Sequence, residues 1–94
     1  MGPHLAAVTV TEDDPTYGHG FVFLYPGADT VYANRPACSQ EARLVFSTNT
    51  AAGRSLLATV LTAHAAGRSL QVHGAGTCDA EVSDTERVNF IAVY

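Results

Sequence analysis

The sequence has no lysine, no tryptophan, a single methionine and only two cysteines, and nowhere does it hold a long apolar run. Without lysine, all its basic charge lies on Arg35, Arg43, Arg54, Arg68 and Arg87, which are scattered along a chain of net charge −4. Nucleic-acid binders draw most of their affinity from basic groups that neutralise phosphates, so no nucleic-acid partner is expected. Anionic membrane surfaces are disfavoured for the same reason. No segment reaches the roughly 18 consecutive apolar residues a membrane helix needs, so membrane insertion is not expected either. Glycine-rich phosphate loops, G-x-S-x-G elbows and H-E-x-x-H pairs are also missing. Gly74-Ala75-Gly76 lacks the third glycine of a dinucleotide fingerprint and opens no helix. No cofactor and no metal are expected.

The two cysteines, Cys38 and Cys78, form no C-x-x-C pair and make no zinc signature with the scattered histidines. A 94-residue chain suits one domain. At this size only about 60–65% of the unfolded chain's surface is buried, so the core alone is marginal. One disulfide is the natural reading, and closing a loop of about 40 residues removes roughly 4 kcal/mol of unfolded-state entropy. Such a bond places the chain in an oxidising compartment, secreted or periplasmic. The alternative is a pair of free buried thiols in a cytosolic protein. Met1-Gly2-Pro3-His4 reads as a vector-derived remnant, standing where a signal peptide has been removed, which leaves residues 5–94 as the domain.

What is present is a series of short strands and one helix. Ala6, Val8 and Val10 alternate with Ala7, Thr9 and Thr11, the period of a half-buried strand. Phe21 to Tyr25 is apolar on both faces and predicts a central strand, with Thr30-Val31-Tyr32 as a short continuation. Arg43 to Phe46 is a third strand. Asn49 or Thr50 then offers an N-cap, and Leu57, Val60, Leu61 and His64 follow at i, i+3, i+4 and i+7, which predicts a helix over 51–66. Gly67 supplies its left-handed stop. His64, on the apolar stripe, is expected to pack in the core or in an interface. Leu70 to His73 is a fourth strand with His73 facing out, and Val88, Phe90, Ala92 and Tyr94 share one face of a fifth. The hexapeptide Ala-Ala-Gly-Arg-Ser-Leu occurs at 51–56, read as helix start, and at 65–70, read as helix stop and strand start. The resulting fold class is mainly β with one α-helix, in the order β-β-β-α-β-β of the five-stranded OB-fold barrel. Other small α+β folds share that order.

Little catalytic chemistry stands out. Ser83, His73 and Asp79 assemble a triad only on paper, since triads are recognised by geometry. Glu12-Asp13-Asp14 reads as an acidic hairpin turn, and Asp79 to Glu86 as a solvated acidic loop. A non-catalytic binding surface remains. Tyr32 stands beside Asp29, Asn34 and Arg35. Aromatic faces next to carboxylate, amide and guanidinium groups suit polyhydroxylated ligands, because sugar rings stack while their hydroxyls take directional hydrogen bonds. Tyr25 and Tyr94 serve equally well as covers for core edges.

Cys38, the strand Leu44-Val45-Phe46, a helix closing on Ala65-Ala66-Gly67-Arg68, the Gly74-Ala75-Gly76-Thr77-Cys78 segment and the final Val88-Asn89-Phe90-Ile91 strand come in a fixed order. Over roughly residues 20–94 this arrangement resembles the B subunits of subtilase-cytotoxin type and related small secreted bacterial OB-fold proteins. The resemblance implies a homo-oligomeric ring, typically a pentamer, whose helices line a pore. The stripe Leu57, Val60, Leu61 and His64 would then be the pore or interface helix. It further implies a surface that binds host glycans, often sialylated, and an enzymatic A subunit as partner. The alternative is an orphan OB-fold interaction or scaffold module that binds no sugar.

Overall fold

The computed structural model describes residues 1–94. Five strands and one helix follow one another as β1 (Leu5–Val10), β2 (Phe21–Pro26), β3 (Leu44–Ser47), α1 (Ala51–Ala65), β4 (Leu70–Cys78) and β5 (Glu86–Val93). The chain order is the expected one. Across the sheet the order is β1-β2-β3-β5-β4, so β5 inserts between β3 and β4. β3 and β5 run parallel, and every other neighbouring pair is antiparallel.

The expected closed barrel is not what forms. β1 and β4 are the two edges of an open sheet, with no ladder between them. The contact to β4 is made instead by the residues ahead of β1. Pro3 O accepts from Leu70 N at 2.9 Å, Met1 O accepts from Val72 N at 2.8 Å, and the Met1 amino group donates to Val72 O at 2.8 Å. Beyond Val72, β4 breaks register with β5 twice, between His73 and Gly74 and again between Gly74 and Cys78. Those irregularities turn its second half away from a straight course, and the seam stays open there. Residues 1–4, expected as a remnant outside the domain, are thus bonded into the sheet. Gly2 is buried and also bridges Val31, so Thr30–Tyr32 does not continue β2.

The core is one cluster that includes Val22 and Leu24 of β2, Leu44 and Phe46 of β3, Val60 and Ala63 of α1, Leu70 and Val72 of β4, and Val88 of β5. β2 is central, as its two apolar faces require. Val22 and Leu24 point inward, while Phe23 and Tyr25 are covered on the other side by Arg43. The Arg43 guanidinium lies 4.5 Å over the Phe23 ring and donates to Tyr25 Oη and Thr85 Oγ1.

The helix obeys its local signals. The Thr50 side chain accepts from Gly53 N at 2.9 Å, and Gly67 takes φ +66° after the last turn. Arg68 N then bonds Ala63 O and Gly67 N bonds His64 O, the paired bonds of a Schellman stop. The two hexapeptide copies accordingly adopt different structures: 51–56 is all helix, and 65–70 leaves the helix and enters β4. The buried face of α1 is Gly53, Val60 and Ala63. His64 is exposed and Leu61 is 44% exposed, so His64 is not a core residue, and the stripe is rotated from the one the spacing predicts. The reason is Gly53: it seats directly on Ser47 O, where a side chain would collide, and this close approach sets which face turns inward.

β5 also departs from strict alternation. Val88 pairs with Gly74 and Phe90 with His73, which leaves Asn89 as an extra residue. Val88 is buried, whereas Phe90 and Tyr94 are 49% and 66% exposed, so the four residues do not share a face.

No helix is long and apolar enough to cross a membrane. A Cys38–Cys78 disulfide is present, with its Cα atoms 6.2 Å apart. It ties the long β2–β3 connection to the end of β4.

Candidate ligand-binding cleft

The largest concavity, about 740 Å³, lies along the outer side of the edge strand β4. One wall is the segment after β2, the other is the outer part of β4, and the N-terminal residues form the end. A cleft of this size suits a small ligand.

The segment after β2 turns at once, with Thr30 N bonded to Gly27 O, and runs past Asp29 and Tyr32 to Asn34, whose φ of +59° reverses the chain. Asp29, Tyr32 and Asn34 all line the cleft. Arg35, the fourth residue singled out by composition, does not. Its guanidinium lies 5.6 Å from the Tyr32 ring centroid and donates to Ser39 O, so it backs the tyrosine from outside. Asp29 is exposed and hydrogen-bonded to His4 Nδ1 at 2.8 Å, a bond that holds its carboxyl below the usual aspartate range.

Sequence reasoning missed three side chains of the opposite wall: Gln71, His73 and Glu86. Gln71 and His73 are outward positions of β4, and His73 stacks on Phe90 with ring centroids 4.1 Å apart and planes 11° from parallel. Glu86 is the larger surprise. Read as part of a solvated loop, it instead opens β5 and is only 4% exposed. One carboxylate oxygen accepts from Tyr32 Oη and the other from Gly76 N at 2.9 Å. Burial, and then the bond to Glu86 and its negative charge, push the Tyr32 phenol well above the usual tyrosine range. The signal for Glu86 was its parity with Val88, which puts it on the buried side of the strand, opposite a Gly-x-Gly able to make room.

The rest of the acidic loop is occupied with its own backbone. Asp79 Oδ1 accepts from the amides of Glu81 and Val82, and Asp84 pairs with Arg43. Asp14 caps its turn in the same way by accepting from Thr16 N. The buried His19 pairs with Glu81 at 3.1 Å and joins the two acidic loops.

The cleft therefore offers two carboxylates, Asp29 and the buried Glu86, with two amides, an imidazole and a phenol around an open groove. Such a set binds hydroxyl-rich molecules by directional hydrogen bonds. Compared with models of protein families, with curated proteins and with solved structures, the chain matches none.

Proposed function

We propose that this chain is an exported, non-catalytic glycan-binding subunit built on an open OB-type barrel, with its binding cleft between the segment after β2 and the edge strand β4. The observation that carries the reading is the meeting of Asp29, Tyr32 and Asn34 with Gln71 and His73 across that cleft. The sheet order, the parallel β3–β5 pair and the helix between β3 and β4 support the OB assignment, with residues 1–3 making the partial closure. The Cys38–Cys78 bond supports export.

The ring extends the same proposal. Leu61, Val93 and Tyr94 are exposed, and a shallow groove is lined by Ala58, Thr62 and Val93. Uncovered apolar surface of this kind supports assembly with further copies, pentameric by the resemblance, and the resemblance adds an enzymatic partner carried by the ring. The alternative module, binding protein and no sugar, would use this same surface.

Native mass spectrometry without reductant, followed by a glycan array, tests the reading. A ring that survives dilution and a positive array are expected. A monomer at low micromolar concentration overturns the ring, and a blank array overturns glycan binding in favour of the interaction module.

A further inference from the structure

We infer that the cleft takes a neutral saccharide ring stacked on the His73 side chain, and that it turns away sugars carrying a carboxylate. This rests on the glycan-binding reading and narrows it.

His73 and Phe90 are register partners across the β4–β5 ladder. Phe90 on β5 covers one face of the imidazole, and His73, exposed on the edge strand β4, lines the cleft. Phe90 is 49% exposed and has no place in the core cluster, so the core does not account for the pair. What the pair provides is a flat aromatic surface at the rim of a polar groove, held in place before any ligand arrives. The C–H face of a pyranose packs on such a surface, and its hydroxyls reach outward to hydrogen-bonding groups. Gln71 lies two residues before His73 on the same side of β4, and Asn34, Asp29 and Tyr32 stand on the facing wall.

The charges select among sugars. Two carboxylates line the groove, Asp29 and Glu86, and no arginine side chain does. Arg35 is engaged outside it with the Tyr32 ring and Ser39 O, and His4 is engaged by Asp29. The one cationic group on the wall is the Met1 amino group; it already donates to Val72 O, and burial disfavours its charged form. An exposed carboxylate such as Asp29 accepts from sugar hydroxyls but repels a sugar carboxylate, so the same group both attracts and discriminates.

The test is saturation-transfer NMR on the intact chain. The probes are the methyl glycosides of glucose, galactose, mannose, fucose and N-acetylglucosamine, set against those of glucuronic acid and N-acetylneuraminic acid. A neutral probe should bind and the acidic ones should not. His73→Ala and Phe90→Ala should each weaken that binding by up to about tenfold, as the loss of an aromatic contact of about 1.4 kcal/mol implies, while His73→Phe retains it. Preferential binding of an acidic probe overturns the inference, and so does a neutral ligand indifferent to His73→Ala. Either result leaves glycan binding standing. If no probe of either class binds, the inference falls together with the function it rests on.

Discussion

The carboxylate of Glu86 lies against the bare Cα of Gly74, so close that a methyl group added there would collide with both carboxyl oxygens and the carbon between them. Gly76, two residues on, takes φ +79° and turns its amide to the same carboxylate. The Gly74-x-Gly76 segment is therefore a backbone cradle for one buried acid.

Gly74→Ala should cost on the order of 1–3 kcal/mol, the usual penalty of forcing atoms into a filled site. In a Gly74→Ala/Glu86→Ala double variant much of that penalty should vanish, because the colliding group is gone. Urea denaturation of the two single variants and the double variant reads the coupling. Simple additivity would show that the cradle does not act as a unit.

Tyr32 gives a pH signature. Its phenol holds its proton in the folded chain at pH values where an ordinary tyrosine, with a pKa of about 10, has lost it. The resulting stability is complete below that ordinary value and is lost as pH rises past it, since the unfolded chain releases the proton first. Tyr32→Phe should remove this part of the alkaline loss. It should also lower stability near neutrality by about 1 kcal/mol, because Glu86 loses a donor. Denaturation midpoints across an alkaline series, compared between the two proteins, measure both effects. Parallel curves would contradict the assignment.

The disulfide spans 40 residues of sequence, and the chain-entropy relation gives it up to about 4 kcal/mol. Replacing both Cys38 and Cys78 by alanine should lower the melting temperature sharply, and a reductant should do the same to the parent protein. A parent protein insensitive to reductant would show that the packed core suffices.

Leu61→Glu tests the proposed interface role of the helix. With Leu61 44% exposed, the substitution should change the stability of a single chain by no more than about 0.5 kcal/mol. In a ring whose contacts include this face it should dissociate the assembly. Analytical ultracentrifugation beside thermal melts distinguishes the two, and an intact oligomer would remove this face from the interface.

The elements whose signals are local were legible in the sequence. Thr50 and Gly67 mark the ends of α1 by their own chemistry, and Phe21–Tyr25 announces a central strand by apolarity on both faces. Features that depend on pairing were not. The extra residue at Asn89 exposes Phe90 while Val88 is buried, and nothing in the order of residues 88–94 reveals that slip. His64 follows the periodicity of the helix stripe, but the contact of Gly53 with β3 decides the face. The candidate site divides the same way. Asp29, Tyr32 and Asn34 are neighbours in sequence and could be grouped by type, whereas Gln71, His73 and Glu86 reach them only through the β4–β5 pairing.

The Cys38–Cys78 bond also bears on affinity. Cys38 lies in the connection that carries Tyr32 and Asn34, and Cys78 ends the strand that carries Gln71 and His73, so one covalent link holds the two walls of the cleft together. A ligand that enters finds its contacts already assembled and orders little of the chain as it binds. The entropy usually lost in fixing a loop around a small molecule was lost at oxidation, before the ligand arrived. Oxidation thus acts as preorganisation: if the cleft binds the glycan proposed for it, the bonded protein should hold that ligand longer than the reduced one.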